Sequence, residues 1–196
     1  MDHTGDPLPG DGGVPIFPES RIVAARVVLR PFTEADVVGN QRACSDPTTQ
    51  YWTSVPSPYT IEDSRDWCLL LSKEIRAMGE GVAFAVADRE TDQYLGTVNL
   101  KRTDWETRTT EIGYLGAAWA RGRGYITEAV AALCHWVFDD QGFARIELKA
   151  APGNRASQRV AERAGFTREG LLRGAGIIKS GRVDLVIYGL LPGDLG

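Results

Sequence analysis

The 196-residue chain predicts a mixed α/β domain, a mixed sheet with helices on it, from three observations. Strand-like β-branched runs alternate with segments whose apolar residues recur at three- and four-residue steps. Three strand-like runs follow one another mid-chain as a meander, and the chain ends in a hairpin. The predicted order is β-α-α-β-β-β-α-β-α-β-β, with no internal repeat, in one domain.

Each element has its own signal. Residues 1 to about 20 are rich in Asp, Gly and Pro (Pro7, Pro9, Pro15, Pro18) and read as a mobile tail, leaving 21–196 as the domain. "RVVLRPF", residues 26–32, is β-branched and halted by proline, a first strand. Thr33 caps a short helix with Asp36 three positions on. Residues 44–59, with Pro47, Pro56, Pro58 and several aromatics, read as a loop; Trp52, Tyr51 and Tyr59 there are candidates to line an acceptor pocket. Thr60 and Asp63 open a longer helix with Trp67, Leu70, Leu71 and Ile75 on its apolar stripe, stopped by Gly79 and Gly81. "VAFAVAD", "YLGTVNLK" and "RTTEIGYLG" form the meander. A helix with Ile126, Ala129, Val130, Leu133 and Val137 on one face runs to Gly142. "ARIELKA" is a strand, Asn154 to Gly165 a capped helix, and "LLRGAGIIKSGRVDLVIYGLL" a hairpin turning near Lys179-Ser180-Gly181.

Composition excludes several classes. Apolar content of 43 % and charged content of 24 % are those of a soluble globular protein. A net charge of −4 gives no basic excess for nucleic acid. Cys44, Cys68 and Cys134 are too few and too scattered for a disulfide framework or a zinc cluster, so no metal is expected. No run reaches membrane-span length, and the N-terminus lacks a basic stretch followed by an apolar core. A cytoplasmic protein is expected. Trp105 and His135 read as structural.

The informative stretch is "AWARGRGYITEAVAAL", where Arg121-Gly122-Arg123-Gly124 precedes a helix that begins near Tyr125 and Ile126. The first N–H groups of a helix lack internal partners and carry the positive end of the dipole. Glycines let that backbone approach a ligand closely. A strand, a glycine-rich turn and a helix therefore make an anion site of diphosphate type, with two arginines adding charge. No Lys-Ser/Thr pair follows the last glycine, as a nucleotide-hydrolase loop requires, and Thr127 stands where a dinucleotide fingerprint needs glycine.

Together with "GNRASQRVAERAGF", this loop resembles the Gcn5-related N-acetyltransferase family, and within it the branch that acetylates protein N-termini, the ribosomal-protein alanine acetyltransferases. The likeness runs from about residue 24 to 190 and rests on an R/Q-x-x-G-x-G/A loop, here Arg121 to Ile126, and an N-x-x-S helix ending in G-F, here Asn154, Ser157, Gly165 and Phe166. Ile126 departs from the usual Gly or Ala. The resemblance implies an acyl-coenzyme A N-acyltransferase fold with two splayed parallel strands, "TEIGYLG" and "RIELKA". It implies acetyl-coenzyme A, or another acyl-coenzyme A, bound by Gly116, Arg121, Gly122, Arg123, Gly124, Tyr125, Ile126 and Asn154. The acceptor would be a primary amine, most simply the α-amine of a protein or peptide, attacking directly in a ternary complex. Rival acceptors are small amines such as an antibiotic or polyamine; a second alternative is a coenzyme-binding regulator without catalysis. The acid the wider family often uses, a tyrosine, is Ala161 here, which leaves Ser157 as the implied proton donor. The glutamate of the branch falls at Gly176, which leaves Glu111 as candidate base through water, with Asp184 as a weaker presence near the acceptor. Either a monomer or a homodimer is compatible with the terminal hairpin.

Overall fold

The computed structural model describes residues 14–195, with residues 1–13 and 196 outside the description. Eight strands form one sheet in the order β1-β2-β3-β4-β5-β6-β8-β7. Their ranges are β1 Ile22–Val23, β2 Val27–Arg30, β3 Val82–Asp88, β4 Tyr94–Asp104, β5 Thr109–Gly116, β6 Arg145–Ala150, β7 Thr167–Ile178 and β8 Gly181–Leu190. All neighbours are antiparallel except β5 and β6. The helices are α1 Val37–Cys44, α2 Pro47–Trp52, α3 Ile61–Asp66, α4 Ser72–Ala77, α5 Tyr125–His135 and α6 Arg155–Arg163. A π-helical stretch, Trp67–Leu71, joins α3 to α4 without a break.

Two of the three predicted side-chain caps hold; at the third, the Thr33 hydroxyl donates to the Asp36 carboxylate instead of accepting from the helix backbone. Thr60 Oγ1 accepts from the N–H of Asp63, whose carboxylate accepts from the N–H of Thr60, opening α3. Asn154 Oδ1 accepts from the N–H of Ser157 at 3.1 Å and opens α6. Gly79, Gly142 and Gly165 end helical segments with left-handed φ of +73°, +65° and +91°.

Alternation along β4 and β5 decides which helix layer each side chain meets. Gly96 and Gly116 lie under Ile126 of α5. Thr97 bonds the Tyr94 hydroxyl, which in turn bonds Asn40 of α1. From Gly96 to Leu100 on β4 and from Ile112 to Gly116 on β5 the even positions thus face α5 and α6 and the odd positions α1 to α4, whereas Tyr94, beyond a register shift, turns to α1. The core fills both layers, with Val98, Leu100, Ile112, Leu133, Ile146 and Tyr188 almost wholly buried.

Two expectations are corrected. The supposed loop 44–59 contains α2: Asp46 accepts from the N–H groups of Thr48 and Thr49, and Pro47 sits where a helix tolerates proline. The supposed tail is anchored before residue 20. Phe17 is fully buried, with its ring centroid 4.8 Å from that of Trp105 and 5.4 Å from that of Phe143. One apolar side chain meeting an aromatic pocket overrides a composition that favours disorder. The rest of that expectation, residues 1–13, lies outside the described residues.

Candidate active site

The β5–β6 pair opens like a V. It is hydrogen-bonded from Thr109↔Arg145 to Ile112↔Leu148 and then stops, although β5 continues to Gly116 and β6 stays on β8 as far as Ala150↔Val186. The N–H of Ala117 bonds the carbonyl of Leu95 across β4. Alternation then aims the N–H and C=O groups of Tyr114 and Gly116 into the gap. Of these, the Gly116 carbonyl is taken by Arg121 Nε at 3.1 Å. The gap therefore offers strand-like partners to an extended amide-bearing ligand, centred on Tyr114 rather than on Gly116.

The glycine-rich turn closes the donor end. Gly122 and Gly124 hold φ of +76° and +81°, and Gly124 is the left-handed residue directly before α5. A Cβ on Gly122 would meet nothing within 4 Å, so the turn presents open space. Among the described residues the N–H groups of Gly122, Arg123 and Gly124 have no backbone acceptor, and the first bond into the helix is Glu128 N–H to the Gly124 carbonyl. These unpaired donors at a helix N-terminus fit a diphosphate. Ile126 does not obstruct them, because its Cγ1 and Cδ1 pack down on Gly116 and Gly96.

Arg121 behaves differently from expectation. Arg121 spends its guanidinium inside the protein, on Asp46 Oδ1 at 2.6 Å and Thr49 Oγ1 at 2.9 Å. It staples α2 over the cleft, and its N–H is engaged by the Ala118 carbonyl, so the free donors begin at Gly122. Substituting Gly124 with valine forces a β-branched residue into left-handed space, which costs ~1–2 kcal/mol or turns the N–H groups away. Calorimetry should show acetyl-coenzyme A binding weakened about tenfold or more; unchanged binding would remove this turn from the site.

Two clefts meet at the V. One, about 380 Å³, runs between the turn and α6. The other, about 800 Å³, lies on the opposite face among α1, α3, residues 52–59 and the β7–β8 hairpin. Trp52, Thr53, Tyr114, Leu115, Asn154 and Ser157 border both. Of the candidate acceptor aromatics, Trp52 and Tyr59 line the second cleft, whereas Tyr51 is exposed and packs edge-on against Trp52. Gly176 lines it too, beneath Leu185 Cδ2, which stands 2.7 Å from where a Cβ would be. Asn154 spends its Oδ1 on its own helix; among the described residues its Nδ2 has no partner.

Glu111 is brought to the second cleft but not as a free base. Its carboxylate, nearly buried, is 3.1 Å from Lys101 Nζ, 3.0 Å from Arg102 Nη1 and 2.9 Å from Lys149 Nζ. Burial alone would raise its pKa, yet the Lys101 charge and the hydrogen bonds from Lys149 and Lys101 hold it below the ordinary 4.5. A carboxylate so stabilised is a poor proton acceptor. Asp184, the weaker candidate, accepts from the Gly174 N–H at 2.7 Å and shapes the hairpin instead. Because the folded pKa of Glu111 is the lower one, its contribution to stability is complete above the unfolded value and disappears as pH falls through the folded value. Urea titrations should find the wild-type advantage over Glu111→Gln intact at pH 7 and shrinking below the ordinary 4.5.

Residues 26–167 match the model of the acetyltransferase (GNAT) domain. The chain belongs to the GNAT acetyltransferase family. It is an acetyltransferase, and acetyl-coenzyme A is its acyl donor. It is 30 % identical over 167 residues to an uncharacterized N-acetyltransferase, p20, of Bacillus licheniformis, covering 85 % of this chain and 93 % of that one. It is 31 % identical over 131 residues to the ribosomal-protein-serine acetyltransferase of Escherichia coli, covering 67 % and 73 %. The solved structure of Mycobacterium smegmatis RimJ in complex with CoA-disulfide shares the fold, at TM-score 0.81 and 21 % identity over 90 % of each chain. Among the described residues no helix of this acetyltransferase is long and apolar enough to cross a membrane, and no cluster of His, Cys, Asp or Glu has metal-holding geometry.

Tyr114, which meets Ser157 across the gap, was not singled out by the sequence. The Tyr114 hydroxyl lies 2.8 Å from the Ser157 carbonyl and 3.0 Å from Ser157 Oγ. Its even position on β5, in phase with the core residue Ile112, was the available signal, and it pointed only to the α5–α6 side.

Proposed function

We propose that this acetyltransferase acts on the α-amine of a protein or peptide N-terminus by direct attack in a ternary complex. The carrying observation is that Glu111, the strand carboxylate lining the larger cleft, is committed to three cations. An α-amine has a pKa of about 8 and a lysine amine about 10.4, so at neutral pH the lysine costs ~3 kcal/mol more to deprotonate. A site whose strand carboxylate is held in this way favours the amine with the larger neutral fraction at neutral pH. The similarity to a ribosomal-protein-serine acetyltransferase supports the same acceptor class.

In this reading acetyl-coenzyme A supplies the acetyl group. The N–H groups from Gly122 to Ile126 grip its diphosphate, and the backbone of Tyr114 with the N–H of Gly116 pairs with its amide-bearing arm. An N–H at the V faces the acyl oxygen, where a donor is worth ~3 kcal/mol as negative charge develops. The acceptor enters from the larger cleft, Ser157 protonates the departing sulfur, and the amine proton leaves to water.

A thiol-release assay tests this. A peptide with a free α-amine should turn over at least tenfold faster, by kcat/KM, than the same peptide blocked there but carrying free lysine, or than polyamines. Preference for either of the latter overturns the α-amine reading.

A further inference from the structure

We propose that Tyr114 is a positioning residue for acetyl transfer: it tethers the Ser157 hydroxyl at the junction of the two clefts and holds its proton inward until sulfur departs. The proposal rests on the reading of Ser157 as proton donor.

The hydrogen-bond inventory fixes the direction of each proton. A carbonyl can only accept, so the single phenolic proton of Tyr114 goes to the Ser157 carbonyl at 2.8 Å. The phenolic oxygen is then the acceptor in the 3.0 Å contact, and Ser157 Oγ is the donor. In the resting protein the serine therefore turns its lone pairs, not its proton, toward the clefts. The Ser157 N–H is independently engaged by Asn154, so the backbone is held while the hydroxyl stays free to rotate about Cβ–Oγ. Rotation delivers the proton: the serine O–H bond breaks, an S–H bond forms on the leaving thiolate, and solvent returns a proton to the serine oxygen. Burial pushes the phenol well above its usual range, so Tyr114 stays neutral and keeps its proton on the carbonyl throughout.

The arrangement spans the V. Tyr114 belongs to β5 and Ser157 to α6, and both border the donor and the acceptor cleft. The phenol thus sets where the hydroxyl stands relative to both reactants.

The test is a double-mutant cycle on the full chain with Tyr114→Phe, Ser157→Ala and the pair, reading kcat, KM for acetyl-coenzyme A and melting temperature. Tyr114→Phe should lower kcat about tenfold, the loss of the one of its two hydrogen bonds that reaches Ser157 Oγ, with that KM within twofold. In the Ser157→Ala background the same change should have no further effect on kcat. An equal loss in both backgrounds, an unchanged kcat in Tyr114→Phe, or an unchanged kcat in Ser157→Ala overturns the proposal. A fall in melting temperature is controlled by assaying all four proteins where each is fully folded. Acceptor preference is read separately from the peptide panel, so a failed cycle leaves the α-amine reading standing.

Discussion

Ser157→Ala is expected to lower kcat about 100-fold while leaving the dissociation constant for acetyl-coenzyme A within about twofold, the lower end of what a positioned general acid contributes. The separation is physical. In the proposed reading donor affinity resides in backbone N–H groups at the start of α5 and in strand groups at the V, neither of which the serine hydroxyl touches. The cap of α6 is made by the Ser157 N–H and Asn154 Oδ1, and it survives loss of the hydroxyl. The change therefore removes the oxygen proposed to shuttle a proton without loosening the helix that carries it. Thiol release under saturating donor, with calorimetry on the same preparation, reads the two quantities independently. A variant turning over at the wild-type rate would exclude Ser157 as acid, and a large loss of donor affinity would make it a binding group instead.

Asp36→Ala is expected to destabilise the fold by ~3–5 kcal/mol, the range for stripping one partner from a buried ion pair. Arg30 lies in β2 and Asp36 at the entrance to α1, only 9 % and 1 % exposed. They join through two bonds, Nη1 to Oδ2 at 2.7 Å and Nη2 to Oδ1 at 3.0 Å. Asp36 also accepts from the N–H and hydroxyl of Thr33. Alanine leaves the guanidinium with Asp92, which is mostly exposed, and the carbonyl of Pro31. At ~2–4 °C per kcal/mol for a chain of this size, the melting temperature should fall on the order of 10 °C. Replacing Arg30 and Asp36 together with Met and Leu should recover much of that, because no charge is then stranded. A loss below ~1 kcal/mol in the single variant would mean that water reaches the pair.

Local chemistry was legible from residue order. The Thr60-Asp63 box, the Asn154 cap, the stopping glycines and the glycine-rich turn before α5 each depend on neighbours within four residues. The motif pair around Arg121–Ile126 and Asn154–Phe166 carried the family. The helix α2 was legible in principle, since Asp-Pro is a cap followed by a tolerated first-turn proline, but surrounding prolines and aromatics outweighed it.

Whatever depends on partners far apart in the chain stayed hidden. Arg121 reads as a free cation in sequence, and only folding brings Asp46, 75 positions away, to neutralise it. Glu111 reads as an open carboxylate until β4 and β6 flank it with lysines. Tyr114 and Ser157 are 43 residues apart and meet because β5 and β6 part company beyond Ile112 and Leu148. Amino-acid order by itself determined most of the elements, the Thr60 and Asn154 caps and the glycine-rich turn, since those follow from backbone geometry and immediate neighbours. Tertiary structure alone decided which charges are free, which hydroxyl holds which proton and where two clefts join, because each is set by contacts across the sheet.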